Sequence, residues 1–246
     1  MLKMFSATIF FAFLAQAQPN GNGRNADLIN TSHVWTDVQP YLVSAGDRFS
    51  KTGSERVIGT GTISRGDPAK VAATAIMVTW EFPGKIHLDE ASGSSKFNSS
   101  APILSGLTPS LSDTLETLIE DTFDGFLSAH TSDSSTRVIG KGFRWQGRPG
   151  QFVDIIQVTS KSKVKGVSSW TTKEYRFDSS TKLLLMATYR STANAQVEVA
   201  FSNWLNVQGQ MIPKTVVRTE NGVIIFSLNL GAVSVGAKLN DGKFGN

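Results

Sequence analysis

The sequence predicts a mainly β protein of the α+β class. Its expected core is one strongly curved antiparallel sheet, an unclosed half-barrel of about eleven strands with helices on its concave face. Three observations support this class. Two-residue hydrophobic periodicity fills most of the chain, turn residues separate the periodic segments, and helical periodicity occurs in only two places. The regular alternation of strands and helices that characterises parallel sheets is missing.

Composition limits the function classes. The 246 residues are 40% hydrophobic and 18% charged, which permits a large core and excludes intrinsic disorder. Because the chain has no cysteine, disulfides, thiolate metal sites and cysteine nucleophiles are excluded. A net charge of +4 is small for this length. Nucleic-acid binding would need that charge gathered into a stripe, so we expect no nucleic-acid partner.

The first segment has the features of an export signal. Lys3 precedes an apolar stretch over residues 4–14, and the small-residue pattern Ala15-Gln16-Ala17 follows. This order predicts a signal peptide over residues 1–17, cleaved after Ala17. The apolar stretch is shorter than the roughly 20 residues that a membrane-spanning helix needs. Since no cysteine is present to carry a lipid anchor, we expect a free periplasmic protein.

The mature chain is predicted to form a single domain. Residues 18–25 are rich in Gly and Asn and should form a flexible tether to a domain over residues 26–246. Apolar residues recur every three or four positions over Ala26–Ser44, which predicts a helix that Pro40 kinks or splits. A second helix is predicted over Leu111–Leu127.

Two-residue periodicity predicts the strands. They are expected over Val57–Ile63, Val71–Phe82, Lys85–Glu90, Arg137–Trp145, Phe152–Thr159, Val167–Phe177, Leu183–Arg190, Ala195–Trp204, Ile212–Arg218 and Val223–Leu230, with a short run at Ala232–Ala237. Asn221-Gly222 is a strong hairpin signal. Gly59-Thr60-Gly61 lacks a following helix, so it indicates a strand with a bulge or close packing, not a phosphate-binding loop.

Several strands have one face that is larger and more apolar than the other. In the second strand this face carries Ala72, Thr74, Ile76, Val78, Trp80 and Phe82. The late strands show the same asymmetry at Val199, Phe201 and Phe226. A sheet with one apolar face must be covered, and the two predicted helices are the available cover. A closed barrel or a two-layer sandwich remains compatible with the same periodicity.

Three local patterns and the order of elements resemble a known family. The patterns are the run Val78–Ile86, the hairpin Tyr175–Leu184, and Phe201–Trp204 followed by Gly209 and Ile212-Pro213. Together with the signal peptide, the first helix and the mid-chain helix, they resemble the LolA/LolB-like lipoprotein carriers over most of the mature chain. The resemblance implies an unclosed antiparallel barrel with a helical lid, whose apolar cavity holds acyl chains.

One position departs from the family pattern. The carriers have a lid-gating arginine immediately before the proline of the aromatic strand, and this chain has Phe82 there. The resemblance therefore implies a cavity for a lipid or another apolar ligand, without the carriers' gating mechanism.

The predicted function is that of an exported, non-enzymatic carrier for a lipid or an acylated protein. Its ligand is expected to contact Ile76, Val78, Trp80, Phe82, Leu118, Phe123, Val199, Phe201 and Phe226, unless these side chains simply fill the core. We expect a monomer with no cofactor and no metal. The alternative is an envelope sensor or structural domain that binds a protein partner, which could be membrane-anchored.

Polar residues add no catalytic pattern. His33, His87 and His130 lie in different segments at no metal-ligand spacing. His87 lies between Ile86 and Leu88 in a predicted strand, so its side chain is expected on the face opposite to theirs, in solvent. The carboxylate pairs Asp89-Glu90 and Glu120-Asp121 point in diverging directions and are expected at the surface.

The densest basic run is Lys161-Ser162-Lys163-Val164-Lys165. Alternating lysines at a hairpin tip or sheet edge block edge-to-edge aggregation. The same lysines could instead contact anionic lipid headgroups or an acidic partner.

Overall fold

The computed structural model describes residues 31–44, 55–81, 85–91, 93–98, 126, 135–146, 148–164, 167–191 and 193–237. These residues form one helix, α1 (Thr31–Val43), and eleven strands. The strands are β1 (Glu55–Ser64), β2 (Thr74–Glu81), β3 (Lys85–Glu90), β4 (Gly93–Asn98), β5 (Ser135–Arg144), β6 (Phe152–Val164), β7 (Val167–Asp178), β8 (Leu184–Arg190), β9 (Gln196–Val207), β10 (Gln210–Glu220) and β11 (Val223–Ala237).

All eleven strands belong to one antiparallel sheet, in the order β4-β3-β2-β1-β11-β10-β9-β8-β7-β6-β5. Each neighbouring pair is also consecutive in sequence except β1 and β11, which join the N-terminal strands to the C-terminal meander. Among the described strands, β4 and β5 form the two edges and do not pair, so the sheet is open. The predicted mainly β class and unclosed antiparallel sheet are confirmed.

The strand count agrees with the prediction although two strands differ. The segments expected at Val223–Leu230 and Ala232–Ala237 form one strand, in which Gly231 is the extra residue of a bulge opposite β1. β4 was not predicted, because Gly93–Asn98 lacks apolar alternation. Its backbone pairs with β3 from Lys85↔Asn98 to Glu90↔Gly93.

β2 begins at Thr74, three residues later than predicted. Asp67 starts a turn in which its side chain accepts a hydrogen bond from Ala69 N at 3.0 Å. Its carbonyl oxygen accepts bonds from Lys70 N at 2.8 Å and Val71 N at 2.9 Å. These turn bonds keep the residues after Asp67 out of the sheet, and the inclusion of Ala72 in the strand was wrong.

α1 continues through Pro40 to Val43, so Pro40 does not split the helix. Pro40 lies in the last turn, where its carbonyl oxygen accepts Ser44 N at 3.2 Å. The Ser44 hydroxyl also donates to the Tyr41 carbonyl at 2.7 Å and closes the C-terminus. Residues 26–30 of the predicted helix, the signal peptide and the tether lie outside the described residues.

The glycine-rich segment of β1 contains the predicted bulge and close packing. The register with β11 shifts between Thr60 and Gly61. A Cβ at Gly61 would overlap the Asn229 carbonyl oxygen, and one at Gly59 would contact Leu230. The interpretation of Gly59-Thr60-Gly61 as structural is therefore confirmed.

A tight turn joins β10 to β11 in the C-terminal meander. Asn221 and Gly222 have φ of 49° and 78°, the left-handed pair that a type I′ hairpin turn requires, and the predicted hairpin is confirmed. Asn221 Oδ1 also accepts Gln196 N at 2.9 Å and ties the turn to β9.

The described part of the basic run, residues 161–164, lies at the end of the β6–β7 hairpin, as predicted. The two strands pair as far as Val164↔Val167, whereas β6 pairs with β5 only to Thr159 and β7 with β8 only to Glu174. Among the described residues, Lys161 and Lys163 therefore lie where the hairpin is two-stranded, beyond its pairing with β5 and β8. Both functions considered for these lysines, prevention of edge-to-edge aggregation and contact with a partner, stay predictions.

Candidate ligand-binding face

One face of the sheet is apolar and buried across most of its width. On β2, Ile76, Val78 and Trp80 share this face, because alternate residues of a strand point to the same side. Trp80 is paired with Ile86 of β3 and with Val57 of β1, so the face continues onto both neighbouring strands. All five side chains are buried.

The C-terminal strands extend this face. Phe226 of β11 is paired with Arg218 of β10, which is paired in turn with Val199 of β9. Phe201 lies two residues from Val199 on the same side of its strand, and the three apolar side chains are buried. β1 joins the two halves, because it pairs with β2 on one side and β11 on the other.

We call this buried surface the apolar face. It brings together six of the nine predicted ligand-contacting side chains, namely Ile76, Val78, Trp80, Val199, Phe201 and Phe226. The other three, Phe82, Leu118 and Phe123, lie outside the described residues. That the six line a ligand cavity stays a prediction.

α1 contacts the apolar face at the end of that face formed by β6 and β7. The ring centroids of Tyr41 and Phe177 are 4.8 Å apart. Phe126, which is helical, lies 4.9 Å from the ring centroids of both Tyr175 and Phe177. Phe126 is the described part of the predicted helix Leu111–Leu127, so covering of the remaining face by helices stays a prediction.

A buried carboxylate joins α1 to the sheet. Asp154 of β6 has a side chain that is 1% exposed. Its Oδ2 accepts hydrogen bonds from the Tyr41 hydroxyl at 2.9 Å and the Lys182 ammonium at 2.6 Å. Its Oδ1 accepts them from the Ser179 hydroxyl at 2.7 Å and Gly142 N at 2.8 Å. Four donors from three separate segments, namely α1, β5 and the turn between β7 and β8, therefore converge on one side chain.

These donors determine the chemistry of Asp154. Burial alone would raise the pKa of Asp154, but the hydrogen bonds from Lys182, Ser179, Gly142 and Tyr41 together lower it to about 2. Such a carboxylate stays ionised at neutral pH and is a poor general base there. Asp154 therefore has the features of a structural anchor.

The sequence analysis missed Asp154, although a signal was present. Asp154, Ile156 and Val158 are alternate residues of β6 and are all buried, so Asp154 shares their inward face. A charged residue at a position that the periodicity assigns to the core indicates a buried polar contact. Its partners could not be identified from the sequence, because Tyr41 lies 113 residues away.

The end of the apolar face beyond Arg218 is polar. The Arg218 guanidinium donates to the Tyr189 hydroxyl at 3.2 Å and to Glu220 Oε1 at 2.6 Å. The Lys173 ammonium lies 4.9 Å from the centroid of the Tyr189 ring. Glu220 and Tyr189 are both paired with Val197, so charged and polar groups border the apolar surface at this end of β8–β10.

The opposite face of β1–β3 holds buried charges that were not expected. His87 does face away from the apolar side, as predicted, but its placement in solvent was wrong because it is only 6% exposed. Its Nε2 lies 2.8 Å from Asp89 Oδ1. Beside it, Arg56 Nη2 donates to Glu81 Oε1 at 2.6 Å, and both of these side chains are buried.

The prediction that Glu90 is a surface charge was also wrong. Its side chain is 6% exposed and forms an ion pair with Arg65. Asp89 is 28% exposed, and Glu120-Asp121 lies outside the described residues. As the alternation predicted, Asp89 and Glu90 point to opposite faces, because Glu90 pairs with Ile76 and Asp89 with Met77.

The described ranges contain no group of three or more acidic or histidine side chains arranged to hold a metal ion. Nor does any helix within them have the length and hydrophobicity needed to cross a membrane.

The fold is similar to that of several solved structures. A LolA superfamily protein from Nitrosomonas europaea matches with a TM-score of 0.53 and 13% identity, over 85% of this chain and 97% of its own. A domain assigned to outer membrane lipoprotein sorting, from Vibrio parahaemolyticus, matches with a TM-score of 0.55 and 11% identity, over 87% and 97%. A DUF1329 family protein from Desulfovibrio piger has a TM-score of 0.50 and 13% identity, over 86% and 96%.

These likenesses concern the fold. The chain has a LolA-like fold, so the predicted resemblance is confirmed at that level. No family model matches the sequence, and no curated protein matches it.

Proposed function

We propose that this protein is an exported, non-enzymatic carrier that holds the acyl chains of a lipid or lipoprotein against the apolar face. The observation that carries the proposal is the continuity of that face, which runs from β3 across the β1–β11 junction to β6 on one side of a LolA-like sheet. The proposed location is the periplasm, following the predicted signal peptide and the likeness to a lipoprotein-sorting domain.

Binding would depend on hydrophobic transfer. Each methylene removed from water contributes about 0.8 kcal/mol, so a ligand with long acyl chains binds tightly without strong polar contacts. The aromatic side chains Trp80, Phe201 and Phe226 offer large apolar surfaces on three strands of the same face. Release would require the cover of the face to loosen, or an acceptor to offer a better apolar site.

The proposal is tested by the lipid content of the purified protein. Native mass spectrometry and organic extraction of the wild type should detect a co-purifying acyl lipid. A photoreactive fatty acid should cross-link to peptides of β2, β9 and β11. A lipid-free protein that also fails to bind the photoreactive fatty acid would contradict the carrier function.

A substitution pair on β2 separates the two faces. Trp80→Asp places a carboxylate on the apolar face, which costs several kcal/mol when it is buried without a partner, so lipid retention should fall at least about a hundredfold. The matched control is Ala75→Asp, because Ala75 is exposed on the opposite face of the same strand. Trp80→Leu should fold and keep its lipid. Equal lipid content in folded Trp80→Asp and Ala75→Asp would remove Trp80 from the site.

A further inference from the structure

The hairpin of β5 and β6 ends in an exposed aromatic surface. We define the β5–β6 tip as residues 141–146 and 148–152. Phe143 and Phe152 are 46% and 51% exposed. Phe143 is paired with Val153 and Phe152 with Arg144, so the two rings lie on opposite faces of the hairpin. The exposed apolar surface therefore surrounds the end of the hairpin and is not confined to one face of the sheet.

The charge at this tip is entirely positive. Arg144 and Arg148 lie in the tip with Lys141, and Arg137 precedes them on β5. Residues 134–153 contain no acidic residue. All four cations are exposed, and within the described part of the chain none has a carboxylate at salt-bridge distance. The Arg148 guanidinium lies over the Trp145 ring, 4.3 Å from its centroid.

The tip is held in a defined conformation. Trp145 N donates to the Gln151 carbonyl at 2.9 Å across the hairpin, and Ser179 N donates to the Phe152 carbonyl at 3.0 Å from the neighbouring turn. The Phe143 ring packs on Gly140, where a Cβ would overlap it. The exposed rings are thus presented by an ordered backbone, which lowers the entropic cost of binding.

We propose that the β5–β6 tip is a docking surface for an anionic lipid bilayer. Exposed aromatic rings partition into the membrane interface, and Arg and Lys side chains beside them attract anionic headgroups. Charge complementarity identifies the occupant, because rings surrounded only by cations match a negatively charged membrane surface. Val223 is more exposed than either ring, at 63%, but it is paired with the acidic Glu220, so its surroundings do not match a negatively charged membrane.

Membrane docking at this tip is separate from the carrier function and does not depend on any cargo. Docking at this tip would bring the edge of the sheet beside α1 to the bilayer, since Gly142 of the tip and Tyr41 of α1 both donate to Asp154. Lys161 and Lys163 lie toward the other end of β6, so they form a basic segment separate from the tip.

Vesicle flotation tests the docking surface. The protein is mixed with vesicles of phosphatidylcholine alone or of phosphatidylcholine with phosphatidylglycerol, and protein that floats with the vesicles is measured. Uptake of single lipid molecules by the apolar face does not count as binding in this assay. We expect binding to the anionic vesicles only, with affinity that falls as salt is added. No binding to the anionic vesicles, or equal binding to both kinds, would overturn the proposal.

Paired variants separate the tip from the remaining surface. Each cation near an anionic membrane contributes about fivefold in affinity, so Arg144→Gln with Arg148→Gln should weaken binding by about 25-fold. Phe143→Ser with Phe152→Ser should weaken it by at least about tenfold. The control is Lys70→Gln with Val223→Ser, which removes one exposed cation and one exposed apolar side chain elsewhere. Equal losses in the tip and control variants would contradict the assignment, and unchanged circular dichroism confirms that each variant is folded.

Discussion

Asp154 occupies an inward position of β6 that the alternation assigns to an apolar side chain. Placing a carboxylate there is costly unless its charge and lone pairs are satisfied. Tyr41, Ser179, Lys182 and Gly142 supply four hydrogen bonds, so the cost is offset within the fold. The same bonds stabilise the ionised form of Asp154 in the folded protein.

Stability should consequently depend on pH in the acid range. Because the pKa of Asp154 is lowered from 3.8 to about 2, the folded state binds fewer protons than the unfolded state between these values. Its contribution, about 2 kcal/mol, is present above pH 4 and is lost as the pH falls through about 2. Urea unfolding from pH 6 to pH 2 should show this loss in the wild type.

Asp154→Asn is the matching variant for that measurement. It should be less stable than the wild type at neutral pH by about 2–3 kcal/mol and should lose less stability on acidification, because it has no charge to protonate. An identical acid dependence in both proteins would show that other carboxylates cause it.

Gly61 offers a second prediction at the residue scale. A Cβ there would overlap the Asn229 backbone oxygen, which cannot rotate away, so Gly61→Ala should destabilise the protein by about 3 kcal/mol. The melting temperature should then fall by roughly 6–12 °C. Gly236→Ala is the control, because a Cβ at Gly236 meets no atom within 4 Å. Equal melting temperatures for the two variants would contradict this role of Gly61.

At the scale of elements, α1 is attached to the sheet by a small set of contacts. Val38, Tyr41 and Leu42 are buried, and the Tyr41 ring packs on Phe177. Burial and the hydrogen bond to Asp154 raise the pKa of Tyr41, so its hydroxyl remains a donor well above neutral pH. The attachment of α1 therefore combines apolar packing with one buried hydrogen bond.

Tyr41→Phe removes that hydrogen bond and retains the ring. The Asp154 carboxylate would lose one of its donors, so the variant should be destabilised by about 1–2 kcal/mol. We expect amide hydrogen exchange to accelerate in α1 more than in β9 and β10, which pair far from this contact. Uniform acceleration over the whole chain would show that α1 does not open as a separate unit.

At the scale of the whole molecule, pairing between β1 and β11 makes the apolar face continuous. Val57 of β1 is paired with Trp80 of β2 on one side and with Val235 of β11 on the other. Val57 and Val235 are neighbours in the sheet although they lie far apart in the sequence. Without this pairing, the apolar sides of β2–β3 and of β8–β10 would be separate surfaces. A ligand that spans both halves would depend on this junction.

The sequence allowed much of the fold to be predicted, and its errors have identifiable causes. Apolar alternation located ten of the eleven strands, because a side chain's face is a local property of the strand. β4 was missed because its strand structure comes from backbone pairing with β3, not from its own side chains. His87 and Glu90 were assigned to solvent because polarity predicts exposure unless a partner, here Asp89 or Arg65, is known.

The residues of the candidate site also differ in whether local sequence was enough to predict them. Ile76, Val78, Trp80, Val199, Phe201 and Phe226 were selected by periodicity within single strands, and the structure places them on one buried face. Asp154 was not selected, because the donors that make its burial possible come from distant segments.

The sequence by itself determined the mainly β class, the Asn221-Gly222 turn and the apolar side of several strands, since each depends on neighbouring residues and on the two-residue repeat of a strand. Only the tertiary structure decided that β1 lies beside β11 and that Asp154 anchors α1. These features depend on contacts between residues far apart in the chain. Such contacts arise from the packing of the whole sheet and leave no periodic signal in the sequence.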